Sequence, residues 1–176
     1  MSEEDIKKPD STQEENPQLT HIDPQGNPTM VDVGDKAITT RVARAQTKVI
    51  LDEKILKALE YRENADEIYT KKGPVFQTAI IAGTMAVKKT SELIPFCHPL
   101  PIENCKINIH FNEAKEVEID CTVRVTGKTG VEMEALTGAT VAALTIYDMC
   151  KALSQNIVIT ATQLMEKTGG KSDFKK

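Results

Sequence analysis

Two hydrophobic rhythms run through this chain. From Ile38 to Leu51 apolar and β-branched residues recur at a loose period of two, which predicts a strand. Asp52 then stands as an N-cap before Ile55, Leu56 and Leu59, which fall at helical spacing, so a short amphipathic helix follows and frays near Asn64. Gly73-Pro74 opens a second helix, with proline in the first turn where a missing N–H costs nothing. Val75 to Val87 is apolar nearly all round, so that helix is buried on several sides. Pro95, Pro99 and Pro101 end it and stiffen the segment between them. Cys105, Ile107, Ile109 and Phe111 alternate with polar neighbours, and so do Val117, Ile119, Cys121, Val123 and Val125, as two strands of a hairpin would. Thr137 reads as the cap of a third main helix with apolar rows through Ala142, Ile146, Met149 and Leu153. After a turn at Ser154-Gln-Asn156, a last strand runs from Ile157 to Leu164.

The order β-α-β-β-α-β predicts an α+β, ferredoxin-like split βαβ fold: an antiparallel sheet with its helices on one face. The other face would then need a cover, and a second subunit is the expected one. Asp23 to Pro28 carries turn chemistry. Residues 1–18 are charged and proline-bearing with almost no apolar content, so they are expected to form a disordered acidic tail, with a single domain over 19–176. At 176 residues and 40% hydrophobic content, the chain can bury a core once its polar ends are discounted.

Charge and cysteine narrow the function classes. A net charge of −4 and a pI near 5.5 oppose a nucleic-acid binder, so any anionic ligand must meet a local cluster of cations. Met1 to Pro17 lacks the apolar run of a secretory signal and no stretch suits a bilayer span, which makes the cytoplasm the expected compartment and a membrane partner unexpected. Cys97, Cys105, Cys121 and Cys150 form no C-x-x-C pair and read as reduced thiols. His21, His98 and His110 are too scattered for a structural zinc site, and no metal ligands are assigned.

Four groups of residues could do chemistry. Asp148 and Lys151 share one helical row with Val141 and Leu144. They are either a surface ion pair or, on an apolar stripe that strips water from the lysine and lowers its pKa, an acid/base pair. Glu132 and Glu134 straddle Met133; were Gly130 to Ala135 extended, both carboxylates would project to one side, whereas in a helix they would diverge by about 200°. A helix starting at Thr137 favours the extended form, and such paired acids suit the N–H edge of a purine or pterin ring, a metal, or plain solvation. Lys71-Lys72-Gly73-Pro74 sets two ammonium groups before a helix N-terminus, a seat for phosphate, although no P-loop or G-x-G-x-x-G is present. Cys97-His98 sits on the proline-stiffened segment. Adjacent residues seldom face one another, so ligand hydrogen bonding by His98, with Cys97 shaping a pocket, is preferred to a thiol nucleophile; a buried structural histidine is the bland alternative.

Longer motifs carry a resemblance. Leu19-Thr-His-Ile-Asp23, Met30-Val-Asp-Val33, Ile81-Ala-Gly83, Leu93-Ile-Pro-Phe-Cys-His-Pro-Leu100, Gly127-Lys-Thr-Gly-Val-Glu-Met-Glu-Ala-Leu136 and Val141 through Ala152 resemble the cyclic pyranopterin monophosphate synthases, the molybdenum cofactor biosynthesis protein C family. The resemblance runs from Leu19 to Phe174. It implies a lyase that converts 3′,8-cyclo-7,8-dihydroguanosine 5′-triphosphate to cyclic pyranopterin monophosphate and releases pyrophosphate. It also implies Asp148 as catalytic acid/base with Lys72 and Lys151 as partners, and Phe96, Cys97, His98, Met133 and Glu134 against the substrate. Glu132 and Arg41 fall on family site positions. Similar proteins are homohexamers, trimers of dimers, with pockets between subunits. No cofactor is firmly implied, which leaves magnesium as a counter-ion of the triphosphate. In Gly169-Gly-Lys-Ser-Asp-Phe174 this chain lacks a glycine between Ser172 and Asp173, which leaves the role of Lys171 open. The rival from another class is a non-catalytic ligand-binding module, which would bind without making product; protein scaffolding explains none of the clustered charge.

Overall fold

In the computed structural model, which describes residues 23, 25–59 and 67–176, the period-two runs become an antiparallel sheet and the 3.6-period runs pack on it. The tail at 1–18, His21 and the fraying near Asn64 lie outside the described residues. These fall into two units, one ending at Val31 and the other running Asp32–Lys176. In the first, the expected turn is built on Asp23, whose carboxylate accepts from the amides of Gln25 and Asn27 at 2.9 and 2.7 Å.

The second unit holds β1 (Thr39–Ile50), α1 (Glu53–Ala58), β2 (Tyr69–Thr70), β3 (Gly73–Pro74), α2 (Val75–Lys88), α3 (Thr90–Leu93), β4 (Asn104–Phe111), β5 (Val117–Gly127), α4 (Glu132–Cys150), β6 (Val158–Thr168) and β7 (Phe174–Lys175). Asp52 caps α1 as predicted, accepting from Ile55 N at 2.9 Å. The five-stranded sheet has the order β4-β5-β1-β6-β7, with every neighbouring pair antiparallel. The protein is thus α+β, an antiparallel sheet packed with helices.

Register explains which face is dry. Ala43, Ala45, Thr47 and Val49 of β1 stand opposite Val123, Cys121, Ile119 and Val117 of β5, and all eight are buried. α4 lies over β1, β5 and β6, and α2 over β4 and α4. The small side chains of Ala43 and Ala45, with Ala135, Ala139, Ala142 and Ala143 on α4, let the helix come close to the sheet. The two helices touch backbone to backbone: a Cβ at Gly83 would lie 2.8 Å from Gly138 O, and one at Gly138 would lie 3.5 Å from Gly83 O and 2.7 Å from Cys121 Sγ of β5. On the opposite side of β1, β4 and β5, Arg44 pairs with Asp120 at 2.6 Å and Lys48 with Glu116 at 3.0 Å. That face is polar and paired along its middle, while Ile50 and Val158, opposite one another across β1 and β6, leave an apolar spot 38% and 52% exposed.

Two expectations need correcting. α4 begins at Glu132, not Thr137: Ala135 N already donates to Val131 O at 3.1 Å, and Val131 is the N-cap. Glu-Met-Glu-Ala-Leu is a run of strong helix formers, and acids in a first turn meet the positive end of the helix dipole, which outweighs the pull of Thr137 as a cap. The last strand reaches Thr168 and hairpins into β7. It keeps register with β1 only through irregularities, Gln46 and Lys48 facing Gln163 and Thr160, with Ala161 at φ 52° between them.

Candidate active site

The last turn of α4 presents Asp148, and Lys151 closes the helix as its C-cap. Lys151 Nζ lies 2.7 Å from Asp148 Oδ1. Lys72, at the turn between β2 and β3, reaches across 76 positions to the other oxygen, Nζ to Oδ2 at 2.7 Å, and also donates to the Asp148 carbonyl at 2.9 Å. A helix C-terminus favours cations, which suits both ammonium groups. The bond from Lys151, and next that from Lys72, hold the Asp148 carboxyl down to about 2. Lys151 is in turn pushed up by its bond to Asp148.

This overturns the expectation of a dehydrated lysine with a lowered pKa. The Lys151 side chain is 52% exposed and hydrogen-bonded to Asp148, so that bond, with the carboxylate charge behind it, outweighs desolvation, and the resting residue is a proton donor. The phosphate seat at the start of α2 is also taken. Phe76 N and Gln77 N donate to the two carboxylate oxygens of Glu67 at 2.8 and 3.0 Å, and Val75 N donates to Ile68 O at 2.9 Å. Pro74 at the N-cap has no side-chain acceptor, so a carboxylate from upstream fills the role.

At the other end of α4 the helical start sends Glu132 and Glu134 apart, contrary to the paired-acid expectation. Glu132 turns to Lys167, Oε1 to Nζ at 3.2 Å. With Arg41, Lys167 and Lys171 it lines a cleft of about 80 Å³ between β1, β6 and the Gly169–Gly170 turn. Arg41 donates through Nη2 to Lys128 O at 3.4 Å, while its buried Nε has no partner among the described residues. Glu134 points inward and is only 4% exposed; burial, and behind it the charge of Glu132, push its carboxyl up. Its own charge reaches Cys97, whose thiol is pushed up first by burial and then by Glu134. A thiol so held is a poor nucleophile at neutral pH, which favours the pocket-shaping reading of Cys97. Phe96 is exposed and His98 half-buried on the same loop, and Met133 is exposed on α4.

The predicted residues therefore gather in two places. Lys72, Asp148 and Lys151 meet at one end of α4; Arg41 with Glu132, and Glu134 with Cys97, meet at the other. Asp148 lies sixteen positions after Glu132 on α4, about 24 Å at 1.5 Å per residue. Sequence reasoning missed Lys167 and Glu67. The basic, glycine-bearing run Lys167-Thr-Gly-Gly-Lys171 was a signal for the first. For the second, the signal was a helix opened by proline with no Ser, Thr, Asp or Asn before it.

Fold and site together define an α+β protein whose ion-paired carboxylate is held between two lysines at a helix end. The chain belongs to the MoaC family, which it matches over residues 30–170. It is 54% identical over 156 residues to the cyclic pyranopterin monophosphate synthase of Xanthomonas axonopodis pv. citri, covering 89% of this chain and 92% of that protein. It is 55% identical over 171 residues to the molybdenum cofactor biosynthesis protein 1 of Dictyostelium discoideum, covering 90% of this chain but 27% of that longer protein. Against the molybdenum cofactor biosynthesis bifunctional protein of Synechocystis, identity is 54% over 159 residues, 88% of this chain and 45% of the relative.

Proposed function

We propose that the protein is a cyclic pyranopterin monophosphate synthase acting in molybdenum cofactor biosynthesis, a lyase that turns 3′,8-cyclo-7,8-dihydroguanosine 5′-triphosphate into cyclic pyranopterin monophosphate and pyrophosphate. The observation that carries this reading is the double clamp on Asp148, with each oxygen 2.7 Å from a lysine ammonium. Lys151 enters as the acid that delivers a proton to the ring being rebuilt, and Asp148 keeps it charged and aimed. Lys72 moves its charge to the phosphates as pyrophosphate leaves. Arg41, Glu132, Met133 and Glu134, with Phe96, Cys97 and His98, hold the substrate.

One subunit separates these groups by the length of α4, so the site is composite. The row Met133, Thr137, Thr140, Leu144 and Asp148 recurs at helical spacing on one side of α4, with Met133 39% and Leu144 53% exposed. Two copies laid antiparallel along this row bring the Glu132 end of one helix to the Asp148 end of the other, and three such dimers make the hexamer. The chain order β-α-β-β-α-β and the sheet order β4-β5-β1-β6 support the ferredoxin-like assignment. The compartment is the cytoplasm.

The test is incubation of purified protein with the cyclic triphosphate. Pyrophosphate release and a fluorescent pterin after oxidation are expected; tight binding with neither product would leave a binding module instead.

A further inference from the structure

Glu67 spends its whole carboxylate on backbone. Oε1 accepts from Ile68 N and Phe76 N, both at 2.8 Å, and Oε2 accepts from Gln77 N at 3.0 Å. With Val75 N on Ile68 O, residues 67 and 68 are strapped to the first turn of α2. The chain between strap and helix is the β2–β3 hairpin, Tyr69 opposite Pro74 and Thr70 opposite Gly73, so both of its ends are tied to one helix start. Its turn is held by Lys72 N donating to Thr70 Oγ1 at 3.1 Å, and Gly73 takes φ 110°, which L side chains rarely adopt. From that turn Lys72 reaches both Oδ2 and the carbonyl of Asp148. A two-stranded hairpin of this size is not stable alone in water. Remove the strap and the turn swings, taking the ammonium with it.

We infer that Glu67 is a positioning residue for the reaction: by capping α2 from outside the helix, it fixes the hairpin that delivers Lys72 to Asp148. The inference rests on the proposed catalytic part of Lys72. It separates from that part because the placement of Lys72 can be read without turnover.

The experiment is a double-mutant cycle on the full chain with Glu67→Ala, Lys72→Ala and both together, accompanied by carbon-13 carboxyl titration of Asp148. The charged groups facing that carboxylate are Lys72 and Lys151, with Tyr147 acting on Lys151. Glu67→Ala should lower kcat/KM on the order of 10²-fold, the scale of a misplaced group. The double variant should be no slower than Lys72→Ala, because the two changes remove one effect. The Asp148 titration should move up in Glu67→Ala as it does in Lys72→Ala, and Glu67→Gln, with one acceptor oxygen left, should fall between. Should Glu67→Ala not fold, Glu67→Gln runs the same cycle. Losses that multiply in the double variant, or an Asp148 titration unmoved by loss of the Glu67 carboxylate, overturn the inference. Full turnover by Lys72→Ala would instead sink the catalytic part of Lys72, and the carboxyl titration would then decide its placement by Glu67.

Discussion

The two ends of α4 treat their carboxylates in opposite ways. At the C-terminal end Asp148 is half-exposed, gripped by two lysines and held down to about 2. At the N-terminal end Glu134 is 4% exposed, faces a cysteine and is pushed up by burial. Helix dipole alone would predict the reverse, since it favours acids at the start and disfavours them at the end. Close partners and desolvation therefore outweigh it.

The sharpest break is to take Lys151 from the C-terminal end. Lys151→Ala should cut kcat on the order of 10²- to 10⁴-fold, the usual contribution of a general acid, while KM changes little; steady-state pyrophosphate release measures both. A smaller effect follows from disturbing the crossing between the two ends. Gly138→Ala would drive a Cβ to 2.6 Å from Val87 Cγ2 and should lower stability by about 1–3 kcal/mol in urea denaturation.

Acid-side stability then tests the clamp. The folded carboxyl of Asp148 titrates at about 2 against an ordinary 3.8, so its contribution is whole above 3.8 and disappears as pH falls towards 2. Lys151 is raised, so the alkaline loss of the same pair begins above 10.5. Asp148→Asn should flatten the acid limb of the stability curve; an unchanged limb would mean that the clamp does not hold in solution. The smallest effect belongs to the buried end. Glu134→Gln removes a charge that opposes the Cys97 thiolate, second to burial, so alkylation of Cys97 near pH 8 should quicken; an unchanged rate would mean that the Glu134 charge does not reach the thiol.

The strands and the Asp148–Lys151 spacing were legible in the sequence, but the contrast between the two helix ends was not, and for specific reasons. Period-two runs such as Val117 to Val125 read correctly because one face is dry and the other charged. Asp148 and Lys151 were found because i,i+3 spacing on a helix is local geometry. Glu132 and Glu134 were misjudged because a threonine inside α4 resembles a cap and was given more weight than the helix-forming Glu-Met-Glu-Ala-Leu run before it, while Val131 at the N-cap offers no capping side chain. The Lys72 contact, the Glu67 strap and the Glu132–Lys167 pair depend on tertiary placement. The residues themselves offered Lys72 only as part of a phosphate seat, the motif resemblance alone joined it to Asp148, and nothing named Glu67.

That the two ends of α4 act on one substrate from different copies is tested most directly by co-expressing Arg41→Ala, which strips the guanidinium from the Glu132 end, with Lys151→Ala, which strips the other end. Each variant alone is expected to be inactive. In a mixed two-fold dimer one pocket inherits both lesions and the other none, so the mixture should regain about a quarter of wild-type pyrophosphate release. A mixture as inactive as either variant, from oligomers verified to contain both, would contradict the account.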